Sequence, residues 1–230
     1  MGSKKQKEAS QKKWMKVIFV IVALVFVFAM VGSYLTNLVT AIAPIKAGDQ
    51  VVIDYTIYDA AGTPIITTSQ QLYNQVTGNG QGILYAKQIT LTANQSWKQA
   101  IYPVQVYVGG SSNGSVEGFA LYNPEYNAIS SSLVGMRNND KKTVTLTSNN
   151  TMSALFTPED LLKENINMST LEVGESLAMG VSETSNATAS NTSAVTYIRL
   201  GEITRKSPAG VVVDFGYPYA DITVASVTKQ

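Results

Sequence analysis

The first pattern along the chain is an unbroken apolar run from Val17 to Val31, continued through Gly32, Ser33 and Tyr34 to about Val39. Roughly twenty residues without a charge match a hydrocarbon core of about 30 Å, and a helix satisfies its own backbone there. Residues 17–39 are therefore expected to form a single transmembrane helix. After Pro44 the period changes. Gln50 to Asp59 alternates apolar and polar positions, which marks a strand. Ala60-Ala61-Gly62-Thr63-Pro64 is a hairpin-type turn, and Ile65-Ile66 resumes the apolar pattern. Residues 69–77 suit a short helix, and the polar, glycine-rich stretch from Gly78 to Gly118 holds strand-like pieces at 82–92 and 99–108. Asn123-Pro124-Glu125 opens a helix that runs through Ser132 and Leu133 and stops at Gly135. Residues 141–148 alternate as a half-buried strand. Thr157-Pro158-Glu159-Asp160 is a helix start with an N-cap threonine, proline at the first position and acids in the first turn. Residues 182–193 are a low-complexity loop of Ser, Thr, Asn and Ala, and strands follow at 194–204, 210–215 and 221–228. The fold class expected is α+β, mostly β.

Charge orients this picture. The tail of residues 1–16 carries Lys4, Lys5, Lys7, Lys12, Lys13 and Lys16 against Glu8, a net +5; the remaining eleven basic and fifteen acidic groups leave the rest at −4. Short lysine-rich segments stay cytoplasmic, so the N-terminus is expected inside and residues 49–230, behind a linker at 40–48, outside the cell membrane. Trp14 and Tyr34 stand near the ends of the run, as interfacial rings do. Ala41-Ile42-Ala43 resembles a signal-peptide cleavage site, but the apolar region exceeds an h-region and Pro44 follows at once. The lysines are accounted for by orientation and nothing else forms a basic patch, so no nucleic-acid partner is expected. Membrane lipid is the partner expected for residues 17–39.

Composition then narrows the chemistry. The chain has no cysteine and no histidine, which excludes disulfides, Cys/His zinc sites and Ser-His or Cys-His catalysis; no cofactor or metal is expected. Six N-x-[ST] sequons, at Asn94, Asn113, Asn149, Asn167, Asn186 and Asn191, all lie beyond the apolar run and are candidate glycosylation sites. Tyr55, Tyr58, Tyr73, Tyr85, Tyr102, Tyr107, Tyr122 and Tyr126 could form a carbohydrate or peptide platform, although strand tyrosines more often pack half-buried with the hydroxyl at the surface. Asp54 and Asp59 are separated by an odd count on a strand and face opposite ways, so they do not make an acid/base pair.

Three blocks carry a family resemblance. Gly48 to Thr56 followed by Gly62 to Ser69 resembles the opening of an FKBP-type peptidyl-prolyl isomerase. Leu133-Val134-Gly135-Met136 through Leu146 is similar to that family's helix end and following strand. Val211 to Val224, with Val213-Asp214-Phe215-Gly216-Tyr217-Pro218, resembles the closing segment of its long, inserted-flap members, typical of archaea and of bacterial SlyD-like proteins. The resemblance implies an antiparallel twisted sheet wrapping one short helix, with long insertions at about 69–125 and 150–205. It implies a substrate pocket at Tyr55, Ile65, Ile66, Ile129 and Val224, where Ile65, Ile66 and Val224 replace residues the family carries as Phe, Asp and Phe. The Tyr-Gly flap after the 141–148 strand is replaced by Asn149-Asn150-Thr151.

Such a protein would help exported proteins fold, by prolyl isomerisation or chaperone-like binding. The alternative is a catalytically inactive accessory or structural subunit of a membrane or cell-surface complex. A third reading is an unrelated envelope-type β-sandwich.

Overall fold

The computed structural model describes residues 19–31, 43–107, 116–146, 152–182 and 195–229. The chain divides into two units, Met1–Ala43 and Pro44–Gln230. In the first, residues 19–31 form helix α1, and every one of its side chains is exposed. No helix among the described residues is long and apolar enough to cross a membrane. The expected transmembrane helix over 17–39 is corrected accordingly; its two ends, and the basic tail, lie outside the described residues.

The second unit is built on β1 (Gln50–Tyr58), whose alternation buries Val51, Ile53, Tyr55 and Ile57. On one edge β1 pairs antiparallel with β12 (Tyr219–Thr228), which in turn carries β7 (Lys141–Thr145). On its other edge β1 is shared: Gln50–Ile53 pairs with β4 (Ile89–Thr92) and Thr56–Tyr58 with β2 (Pro64–Thr67). The turn between β1 and β2 is closed by Asp59, whose Oδ1 accepts from the Thr63 amide at 2.7 Å, with Gly62 at φ +81°. The sheet continues through β3 (Leu84–Ala86), β5 (Ile101–Tyr107) and β6 (Val116–Tyr122), and then through β10 (Tyr197–Ser207), β11 (Gly210–Asp214) and β8 (Ser153–Phe156). The strand β9 (Ser176–Val181) pairs with β10 beside this path.

Three helices accompany the strands. The helix α2 (Gln70–Gly78) is N-capped by Ser69, whose Oγ accepts from Leu72 N. The helix α3 (Asn123–Ser132) buries Tyr126 and Ile129, and α4 (Pro158–Lys163) has the expected capping box between Thr157 and Asp160. A hydrogen bond from Lys163 and then one from the Thr157 hydroxyl hold the Asp160 carboxyl below its usual value.

The fold implied by the FKBP resemblance is corrected too. A single antiparallel sheet around one helix was expected, with 69–125 and 150–205 as insertions. Those segments instead supply strands β3 to β6 and β8 to β10 of one large sheet, which includes two parallel pairs, β2 with β3 and β6 with β10. The physical reason is that these segments carry their own apolar positions, which the sheet extends to bury. Two separate cores result. The larger gathers Ile53, Ile57, Ile66, Phe119, Ile129 and Val224 among others; the smaller holds Leu161, Leu177, Ile203, Val211, Val213 and Phe215. The strands β6 and β10 meet where Ile198 pairs with Phe119, their single register pair.

Candidate functional site

All five residues of the expected pocket are brought together, but inside the larger core. Tyr55 is 3% exposed, Ile65 2%, and Ile66, Ile129 and Val224 are fully buried. The two strands β1 and β2 present Tyr55, Ile65 and Ile66, α3 supplies Ile129, and β12 supplies Val224. Aromatic rings pack against this core. Trp97 packs edge-on to Tyr102 (centroids 5.0 Å apart), and Tyr102 lies 4.7 Å from Tyr126. Trp97 is fixed at both ends: its amide donates to Asn127 Oδ1 at 2.7 Å and its indole Nε1 to the Ile101 carbonyl at 2.9 Å. Beside it is a shallow cleft of about 340 Å³ over residues 95–99. The family-derived residues thus belong to a buried core, with Trp97 and Tyr102 packed against it.

One atom in that core is out of place. The Tyr55 hydroxyl is buried with no hydrogen-bond partner. Burial, and then the neighbouring Tyr102, push its pKa well above the ordinary tyrosine value. A buried unpaired hydroxyl costs about 1–3 kcal/mol. Tyr55→Phe, which keeps the ring and removes that oxygen, is expected to raise stability by about 1 kcal/mol in urea unfolding. The pH dependence has a defined sign. The folded pKa is raised, so the native state holds the proton more tightly than the unfolded chain. Stability is therefore complete below about pH 10 and falls as pH rises above it. Tyr55→Phe should make that alkaline decline shallower; an unchanged decline would place its cause elsewhere.

A buried polar cluster centred on Arg199 was not anticipated. Arg199, on β10, is fully buried and makes a two-pronged ion pair with Glu125, Nη2 to Oε1 at 2.6 Å and Nη1 to Oε2 at 2.9 Å. Its remaining donors reach the Ala120 carbonyl (2.7 Å from Nη1) and the Phe215 carbonyl (2.6 Å from Nη2, 3.2 Å from Nε). All five guanidinium N–H groups are used. The group is sandwiched between the rings of Tyr122 and Tyr217, each 4.1 Å from Cζ. Burial, the largest single influence, works to lower the Arg199 pKa, but Glu125 together with Tyr217 and Tyr122 outweighs it and the net shift is upward. Burial also pushes Tyr217 strongly up; its hydroxyl donates to the Leu200 carbonyl at 2.6 Å. Glu125 Oε2 also accepts from the Tyr122 amide, as the third residue of a capping box. Sequence reasoning assigned Glu125 only to the helix start, and the separation of 74 positions between the partners hid the pair.

The other carboxylates are dispersed. Asp54 and Asp59 have different partners: Asp59, just past the end of β1, closes the β1–β2 turn, and Asp54 accepts from Gln88 Nε2. Glu202 is pushed up by burial and then by Asp59 and Asp214. No group of three acidic residues among those described is arranged to hold a metal ion. Of the sequons, Asn94 is exposed with φ +58° in the turn after β4, and Asn167 is exposed with its Oδ1 accepting from the Ser169 amide and hydroxyl. Asn113, Asn149, Asn186 and Asn191 lie outside the described residues.

Comparison with protein-family models finds no match, and comparison with curated proteins finds none.

Proposed function

We propose that the β-rich unit is a non-catalytic accessory module that works outside the cytoplasm as part of a membrane or cell-surface complex. The observation that carries this reading is the burial of Tyr55, Ile65, Ile66, Ile129 and Val224 in the core. Catalysed rotation of an X-Pro bond must lower a barrier of about 18–20 kcal/mol, and the imide must enter a desolvating pocket for that. Side chains this deeply buried offer it no opening to solvent. A chain without histidine or cysteine also has few other routes to covalent or acid–base catalysis. The six sequons, two of them at exposed turns, support an extracytoplasmic setting.

The test is a prolyl-isomerase assay of the full chain on a proline-containing peptide, with Tyr55→Ala as control. The expected rate is the uncatalysed one for both proteins. Acceleration by the wild type that Tyr55→Ala abolishes would replace this reading with the enzymatic one.

A further inference from the structure

A cleft is bounded by β1, β3 and β5. It has a volume of about 440 Å³ and is lined by Asp54, Thr68, Tyr85, Lys87, Gln88 and Tyr107. That is within the roughly 300–1,000 Å³ of small-molecule sites. Tyr85 and Tyr107 are directly paired in the β3–β5 register, so their rings rise on one face and stack, with centroids 5.3 Å apart and planes 27° apart. Tyr73 of α2 extends the row, 5.6 Å from Tyr85. Lys87, two residues from Tyr85 and so on the same face, holds Nζ 5.4 Å from the Tyr107 centroid. Across the cleft, both oxygens of Asp54 accept from Gln88 Nε2 at 3.0 Å. Among the described residues the hydroxyls of Tyr73, Tyr85 and Tyr107, Oε1 of Gln88 and Nζ of Lys87 make no hydrogen bond.

We infer that this cleft binds a neutral carbohydrate, its apolar C–H face packing against the Tyr85–Tyr107 stack and its hydroxyls reaching Asp54, Gln88 and Lys87. Three features select that ligand class. Rigid aromatic rings offer a flat apolar surface at low entropic cost, which suits the C–H face of a pyranose. A sugar hydroxyl both donates and accepts. The rim supplies acceptors (Asp54, Gln88 Oε1), a donor (Lys87) and tyrosine hydroxyls that do either. Charge decides the rest. Lys87 over Tyr107 repels an organic cation from the ring face, and Asp54 repels an anion, while one positive and one negative group leave the cleft neutral. The inference does not depend on the non-catalytic reading, because Asp54 points to the opposite face of β1 from Tyr55.

The experiment is calorimetric titration of the full chain with maltotriose, cellotriose and triacetylchitotriose, and with choline and inorganic phosphate as charged probes. Saturable binding of at least one trisaccharide is expected, weakened about tenfold or more by Tyr107→Ala and nearly retained by Tyr107→Phe. Gln88→Ala alters an exposed side chain outside both cores, and is expected to weaken binding several-fold even if Tyr107→Ala lowers the folded yield. No saturable binding of any of the three sugars overturns the inference. So does sugar binding that neither Tyr107→Ala nor Gln88→Ala changes, or binding of choline or phosphate alone.

Discussion

Arg199→Met is expected to destabilise the β-rich unit by about 3–5 kcal/mol, the cost of leaving one member of a buried ion pair without its partner. The local inventory supports the upper part of that range. The substitution strands the fully buried Glu125 carboxylate, and it also removes the donors to the Ala120 and Phe215 carbonyls. For a domain of this size, each kcal/mol shifts the melting temperature by about 2–4 °C. A fall on the order of 10 °C by circular dichroism is therefore expected. The double variant Arg199→Met/Glu125→Met removes both charges and should recover much of the loss, because an apolar pair of similar volume often matches a buried salt bridge. If the single variant loses less than about 1 kcal/mol, water must replace the guanidinium as donor, and the site is neither dry nor dependent on Arg199.

The position of this pair explains why so large an effect is expected from one side chain. The strands β6 and β10 share a single register pair, and β10 supplies Leu200 to the larger core and Ile203 to the smaller. Arg199 follows Ile198 of that pair, and it reaches β6 at Ala120, α3 at Glu125 and the end of β11 at Phe215. Hydrophobic contact is indifferent to small slips, whereas five directed donors fit one alignment. The pair thus specifies how β6 and β10 join, a registry role for buried charge.

Local structure was legible in the sequence wherever one stretch of chain decides it. The period-two run at β1, the Asp59–Pro64 turn, the helix start at Thr157-Pro158 and the helix opening at Asn123-Pro124 all appear near their expected positions. At the last of these, the N-cap is Tyr122, and Asn123 donates instead to the Trp97 and Gln99 carbonyls. The apolar piece at 82–92 divides into β3 and β4 because its halves pair with different strands, β2 and β5 on one side and β1 on the other. Nothing local encodes that split. The strand β8 has four residues, too few for a periodic signal. The five family-derived residues all fall in the larger core, but their burial depends on packing from segments distant in sequence, Trp97 and Tyr102 among them. The tyrosine row at 73, 85 and 107 required a register between strands twenty residues apart.

Gly210→Ala is expected to cost about 3–5 kcal/mol, far beyond an ordinary glycine substitution. Gly210 turns the chain from β10 into β11 at φ +139°, a conformation that side chains with a Cβ rarely adopt. A Cβ there would also lie 2.1 Å from the Phe156 carbonyl oxygen and 3.2 Å from Thr157 Cα. Both are backbone atoms, so no flexible side chain can swing away. Relief requires β8 to leave β11, which breaks the Val211–Phe156 pairing and displaces the Thr157 cap of α4 from above Leu161. The loss should therefore be local as well as large, with hydrogen-exchange protection falling first in β8, β11 and α4 while β1 and β12 keep theirs. Gly78→Ala is the matched control. It ends α2 with an ordinary φ and nothing within 4 Å of the added Cβ. It should stabilise by about 0.4–1 kcal/mol through the unfolded chain. Equal behaviour of the two variants would mean that β8 does not lie against the β10–β11 turn, and the smaller core would have to be redrawn.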